Sequence, residues 1–229
     1  MTIDPELQSA HAALVQQFDA VNGAQSNDNN VLASIGSQLA MLKVMLTERD
    51  ILYPQQSGVQ QHKDALVLTR EVLEIGALWS IRVQDTSSFD RYWSQLKPFY
   101  LDLVHALPHS KNYEPIVGLS LLRSLSSNSI ASFHIALESL PMELVRDSPY
   151  IQHPVLLERW LMEGSYSNVW RERENVPLEE YRFFVNILMV TIRHEIASCE
   201  EKAYDTLPLN DVATLLFLAS LPEVLEFAK

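Results

Sequence analysis

Residues 175–229 read NVPLEEYRFFVNILMVTIRHEIASCEEKAYDTLPLNDVATLLFLASLPEVLEFAK. Pro177 stands where the first turn of a helix would have an unpaired backbone donor anyway, and Glu179 and Glu180 follow at its positive end. A helical period then runs to about Ala203, which predicts a helix roughly 39 Å long at about 1.5 Å rise per residue. Its first half, Phe183 to Ile192, is apolar on nearly all sides and predicts a helix sandwiched between layers. The second half narrows to Ile192, Ile196, Cys199 and Ala203, a stripe on which Cys199 reads as a buried, inert thiol. Ala203 to Pro208 is too short for a helix and suits one short strand. Two compact helices follow, Leu209–Ala219 and Leu221–Lys229, joined through Ser220-Leu221-Pro222 as in a helix-turn-helix.

Upstream, apolar residues recur at three- and four-residue spacing between short breaks, which is the helical period. Asp4-Pro5-Glu6 opens a first helix with the stripe Leu7, Leu14 and Phe18. Asn22 to Asn30 reads as a loop, and Val31, Ile35, Leu39, Leu42 and Leu46 mark a second helix. A third runs from about Val59 to Val83 through Leu66, Leu73 and Leu78. After Asp85-Thr86-Ser87-Ser88, a fourth carries Phe89, Tyr92, Trp93, Leu96 and Phe99. Further helices are expected at about 112–126, 128–140, 150–163 and 165–174. Ser88-Phe89, Ser132-Phe133 and Ser165 to Trp170 each begin the second helix of a short-turned pair. Their anchoring aromatics Phe89, Phe133 and Trp170 lie 44 and 37 residues apart. Such spacing suits stacked helix hairpins of the solenoid kind, with a non-repeating bundle as the alternative.

The function classes narrow by exclusion. Formal charge is −12, from 29 acidic against 17 basic residues, and such a surface repels phosphate backbones and anionic lipid. Mean hydropathy is −0.02, and no apolar run approaches the ~18 residues of a membrane span. The lone Cys199 cannot form an internal disulfide and, with a start lacking the marks of a secretory signal, places the chain inside the cell. His194-Glu195 begins like a zinc-protease motif, but Ser198 stands where the second histidine belongs. Pro108 separates His105 from His109, and Gly118-Leu119-Ser120-Leu121-Leu122 lacks the closing glycine of a nucleophile elbow. With only 6 glycines in the chain, no phosphate loop is possible. Glu138, Glu158 and Glu195 stand singly. No catalytic residue, cofactor, metal or small-molecule substrate is expected. The last helix carries Glu223 and Glu226 against Lys229 alone, so the helix-turn-helix reads as a protein-docking module rather than a DNA reader.

Particular strings carry a resemblance. They are EVLEIGALWS (71–80), SFDRYWSQLKPFY (88–100), ASFH (131–134), YIQHP (150–154), LMEGSYSNV (161–169) and RHEIASCEEKAY (193–204). Together they resemble the PCI-domain lid subunits of the 26S proteasome regulatory particle, specifically the non-ATPase regulatory subunit 8 family, from about residue 60 to 229. The resemblance implies an all-α fold: a TPR-like helical-repeat solenoid over residues 1–174, then a long bridging helix and partial winged-helix module over 175–229. It implies a non-catalytic scaffold for lid assembly and ubiquitin-dependent degradation, in cytoplasm and nucleus. The implied partners are other lid PCI subunits and a neighbouring ubiquitin receptor, without nucleic acid or membrane. The family continues into a two-stranded wing and a terminal helix; this chain stops at Lys229, which reads as truncation. Glu158, Glu163, Tyr166 and Asn168, around the turn at Gly164, are the expected outward partner contacts. A nucleic-acid-binding winged helix, and a translation-initiation or signalosome subunit of the same architecture, are the competing readings.

Overall fold

The computed structural model describes residues 5–24, 29–49, 51–52, 63–104, 106–218 and 220–227. Every regular element among them is an α-helix. The chain divides into two compact units, residues 1–116 and 117–229. The first holds α1 (Pro5–Ala24), α2 (Asn29–Glu48), α3 (Lys63–Arg82), α4 (Thr86–Leu101) and the start of α5 (Tyr113–Ser126). The second holds the rest of α5 and α6 (Ile130–Glu138), α7 (Met142–Asp147), α8 (Pro149–Met162) and α9 (Tyr166–Glu172). It continues through α10 (Glu179–Ala203), α11 (Leu209–Leu215) and α12 (Leu221–Phe227). The division expected at 174/175 separates kinds of module and falls inside the second compact unit. Asp4, residues 25–28 and 53–62, His105 and Lys229 lie outside the described residues, and with them parts of the expected first cap, first loop, third-helix start and histidine pair.

In the first unit most of each apolar stripe turns inward as its period dictates, but Val31 at the start of α2 is exposed and Leu78 of α3 is half-buried. Leu7, Leu14 and Phe18 of α1 are buried, as are Ile35, Leu39, Leu42 and Leu46 of α2. α3 packs against α1, α2 and α4. It is therefore apolar well beyond one stripe, and Leu66, Val72, Leu73, Ala77 and Ile81 are all buried. Gly76 lets α4 approach: a Cβ there would run into the Tyr92 ring. By length and composition Asn30–Glu48 could cross a membrane, contrary to the expectation from apolar runs. Its leucine stripe is covered by α1 and α3, while Val31, Met41 and Val44 of the same helix stay exposed.

One turn recurs. α3 ends on Gln84 at φ 63°, α5 on Asn128 at φ 55° and α8 on Gly164 at φ 69°. Each time the left-handed residue donates to the carbonyl three back, and the next residue donates to the carbonyl five back. These paired bonds, Gln84 to Ile81 with Asp85 to Ser80 and their counterparts, define the Schellman stop. The residue after it, Asp85, Ser129 or Ser165, immediately becomes the N-cap of the following helix. Asp85 accepts from the Ser87 and Ser88 amides and hydroxyls, and these donors, led by the Ser88 hydroxyl, hold its carboxyl at about 2. Phe89, Phe133 and Val169, each four residues beyond its cap, are buried. The third anchor is thus Val169 rather than Trp170, which is only half-buried. The expected aromatic was one position out of register because side chains are placed by distance from the cap, not by chemical type. A fourth such turn, at Phe217 with φ 53°, closes α11.

In the second unit α10 begins at Glu179, with Leu178 extended as its cap, so Pro177 precedes the first turn instead of occupying it. Tyr181, Phe184, Val185, Leu188, Met189 and Ile192 are buried. Gly118 of α5 makes this contact possible, since a Cβ there would collide with the Tyr181 hydroxyl and the Tyr150 carbonyl. The sandwich is partial, because Val190 is exposed. Beyond Ile192 the stripe fails: Ile196 is half-buried, and Cys199 and Ala203 are exposed. Cys199 is therefore not the buried thiol the spacing predicts; a helical period marks a face but does not supply a neighbour to cover it. Nor is there a strand at 203–208. Tyr204 is extended, but no described segment pairs with it. The short α7, at six residues, gave no period to read.

Candidate functional site

Glu158, Glu163, Tyr166 and Asn168 do not form one outward surface. Glu158, whose side chain is 14% exposed, turns inward and lies 3.2 Å from His134 Nε2, linking α8 to α6. Asn168 Nδ2 donates to Ser165 Oγ at 2.8 Å and braces its own turn. Tyr166 is half-buried. Only Glu163 is well exposed, with Arg159 Nε 2.9 Å away one turn back. The turn at Gly164 brings the four near one another along the chain, while the helices send them in different directions.

A broader exposed surface lies at the C-terminal end. Tyr204, Leu209, Leu215, Leu221 and Leu225 are large apolar side chains left open to solvent. Among them stand exposed Glu201, Asp205, Asp211, Glu223 and Glu226. Apolar side chains between carboxylates suit a protein partner, since a phosphate backbone would meet a like-charged surface. A cluster around Arg193 and Trp170 helps hold the helices that present this surface. Arg193 of α10 donates from Nε to the Leu216 carbonyl at 3.0 Å and from Nη2 to the Phe217 carbonyl at 3.2 Å. It thereby satisfies acceptors at the C-terminal end of α11, where a cation is also favoured by the helix dipole. Phe217 stacks on Trp170 at 5.5 Å between centroids, and the Arg173 guanidinium lies 3.8 Å from the Trp170 centroid. His194 is engaged with the Phe227 ring at 4.9 Å.

Two buried polar features escaped the sequence. Glu74, 1% exposed, accepts from Tyr100 Oη at 2.9 Å, Ser110 Oγ at 2.8 Å and Asn112 Nδ2 at 3.2 Å. Arg70 Nε lies 3.4 Å from it, and Arg70 Nη1 donates to the Pro108 carbonyl at 2.6 Å. Burial raises the Glu74 carboxyl above its ordinary range despite these donors. The network pins the segment after α4 onto α3, and nothing in it resembles an acid–base pair. His153, in α8, is 7% exposed with neither ring nitrogen hydrogen-bonded, and burial lowers it to about 4. Its ring packs edge-on against Tyr181. Among the described residues no group of His, Cys, Asp and Glu could hold a metal.

An all-helical protein with this terminal arrangement has relatives. The CSN8/PSMD8/EIF3K family matches residues 111–229, and the chain belongs to that family. Within it, the likeness is to proteasome regulatory subunits. The 26S proteasome non-ATPase regulatory subunit 8 homolog A of Arabidopsis thaliana is 36% identical over 226 residues, covering 98% of this chain and 82% of the relative. The 26S proteasome regulatory subunit RPN12 of Saccharomyces cerevisiae is 35% identical, over 88% of this chain and 75% of the relative. The corresponding subunit of Schizosaccharomyces pombe is 37% identical, over 84% and 68%.

Proposed function

We propose that the chain is a non-catalytic structural subunit of the 26S proteasome regulatory-particle lid, acting in ubiquitin-dependent degradation. The observation that carries this reading is the likeness, along 98% of the chain, to a protein named as a proteasome regulatory subunit. The exposed apolar and acidic side chains of α10 to α12 support it, because they fit a protein surface better than a nucleic acid or lipid. In this reading residues 1–174 are a TPR-like repeat region and 175–229 belong to a PCI winged-helix module. The recurring Schellman turn supports the first half, and the α11–α12 pair supports the second. Other lid PCI subunits and a ubiquitin receptor are the partners, in cytoplasm and nucleus. Of the four residues expected at contacts, Glu163 is the one placed to reach a partner without rearrangement.

Affinity purification of the tagged full-length protein from cells, read by mass spectrometry, tests the reading. Proteasome lid subunits are expected in stoichiometric amounts. Recovery with signalosome or translation-initiation subunits would move the chain to another branch of its family, and recovery as a free monomer would sink the scaffold assignment. Salt-sensitive binding to duplex nucleic acid would overturn the exclusion of that class.

A further inference from the structure

A groove of about 790 Å³ opens in the first unit along α2, α3 and α4. Gly36 and Ala40 from α2 and the rings of Trp79 from α3 and Tyr92 from α4 form its apolar part, and polar side chains of α4, Ser94 and Gln95 among them, line the rest. Gly36 admits no side chain, since a Cβ would stand 2.6 Å from Trp79 Cζ2. Trp79 Nε1 donates to the Leu32 carbonyl at 2.8 Å, which fixes the indole against α2. Groove walls of this kind are set before any partner arrives.

Two cations line the same groove. Lys43 Nζ sits 3.7 Å from the centroid of the Tyr92 ring. Arg91 Nη2 donates to Ser88 Oγ at 2.8 Å, and that hydroxyl donates in turn to Asp85. Among the described residues no carboxylate comes within ion-pair distance of Lys43 or Arg91. Asp90, the acid on the lining, has an interaction of its own within the fold. Burial, and secondarily the charge of Arg91, hold the Lys43 ammonium down to about 8. Arg91 reaches a carboxylate, that of Asp85, only through the Ser88 hydroxyl, and Lys43 feels the charge of Arg91 instead of an acid's. An anion entering from outside would relieve their repulsion.

The surroundings say what kind of anion. Between Asn30 and Thr47, Lys43 is the only charged residue. Val44, 58% exposed, stands one turn beyond Ala40 on the same face of α2. A free inorganic anion has no use for an aromatic floor and an apolar rim. A polyanionic nucleic acid would meet the net negative charge of the rest of the chain. A peptide carrying acidic and apolar side chains fits both features.

We propose that this groove docks an acidic segment of a partner protein, its carboxylate held by Lys43 and Arg91 and a neighbouring apolar side chain lying on the part-exposed Trp79 indole. The proposal deepens the scaffold reading by naming the chemistry of one partner segment, and it rests on that reading for the presence of a protein partner.

The test uses the full chain and a capped, fluorescein-labelled peptide of alternating Glu and Leu, followed by fluorescence anisotropy. A peptide with Gln in place of Glu is the control, and unlabelled inorganic phosphate is the competitor. Saturable binding of the Glu peptide is expected, weakening as salt rises, with at least tenfold weaker binding of the Gln peptide. Arg91→Glu and Lys43→Glu each weaken binding at least tenfold. Lys43→Met keeps an apolar stem over Tyr92 and loses several-fold, which guards against misfolding of the charge reversals; thermal melts accompany every variant. Millimolar phosphate is expected not to displace the peptide. No saturable binding, equal affinity for the Gln peptide, indifference to both Lys43→Met and Arg91→Glu, or full displacement by phosphate would each overturn the proposal. Lid co-purification without peptide binding removes the groove alone. Peptide binding without lid co-purification removes the proteasome assignment and leaves the groove.

Discussion

α3 and α10 are both long and both apolar around much of their circumference, yet their surroundings differ. α3 buries thirteen of its twenty residues, including the charged Arg70 and Glu74. α10 buries six of twenty-five, all of them at or before Ile192. The difference is one of neighbours. α3 is flanked by α1, α2 and α4, whereas α10 meets α8 through Tyr181, α5 through Thr191 and the α11–α12 pair through Arg193 and His194, and most of the rest of its second half is exposed. A helix wrapped on several sides works as a core; one wrapped for half its length can offer the other half to a partner. α3 accordingly works as core within unit one, and the distal part of α10 with α11 and α12 presents an exposed face.

The largest effect should come from breaking the charged core of α3. Glu74→Ala leaves Arg70 buried without its counter-ion and strips Tyr100, Ser110 and Asn112 of an acceptor. Losing one partner of a buried pair costs roughly 3–5 kcal/mol. The matched change on α10, Glu195→Ala, removes an exposed acceptor of Asn128 Nδ2 and should stay within about 0.5 kcal/mol. Urea unfolding of the two variants measures the contrast. Comparable losses would mean that α10 is covered as thoroughly as α3.

Next in size is a pH effect in the buried half of α10. His153 packs on Tyr181 and is held at about 4, against 6.5 in an unfolded chain. Between those values the unfolded chain binds the extra proton, so stability is fully present above about pH 6.5 and is lost as pH falls through about 4. At about 1.4 kcal/mol per pKa unit, the loss approaches roughly 3 kcal/mol. His153→Leu removes two unsatisfied nitrogens and should flatten that limb of a stability–pH curve without weakening the fold at neutral pH. An unchanged acid limb would mean the histidine is already hydrated.

Much of this contrast was legible before any coordinates. The stripes of α1 to α4 and the start of α10 follow from apolar spacing, because helical period reports which residues share a face. Spacing could not report whether that face has a neighbour, which is why Cys199 and Ala203 were expected inside. Ser88, Ser132 and Ser165 mark three of the turns, but glycine occupies only one of the four left-handed stops. Asn128 is a tolerable substitute, while Gln84 gave no signal at all. The site was less legible than the fold. Glu158 faces His134 across two helices, and Lys43 and Arg91 converge from 48 positions apart. Such pairings are created by packing and have no local signature.

The caps test whether the recurring turns are equal in strength as well as in shape. Asp85 makes side-chain bonds to the first amides of α4, but Ser129 and Ser165 make none to α6 and α9. Asp85→Ala should therefore cost about 1 kcal/mol, the usual worth of a working cap, and Ser129→Ala only a few tenths. Thermal melts at neutral pH separate the two. Equal losses would show that the serines do cap in solution.

The smallest expected effect in stability carries the plainest chemical readout. Cys199 stands on the exposed part of α10, and a small exposed side chain contributes little to folding, so Cys199→Ser should change stability by less than about 0.5 kcal/mol. A thiol covered by a neighbour reacts with an aromatic disulfide reagent only when the structure opens; an exposed one reacts in the native state. Native labelling of Cys199 should thus proceed without denaturant and finish at one thiol per chain. If it is then slowed when the chain is assembled with its partners, the open half of α10 is where they sit. If native labelling needs unfolding, the helix is covered along its whole length, and its difference from α3 disappears.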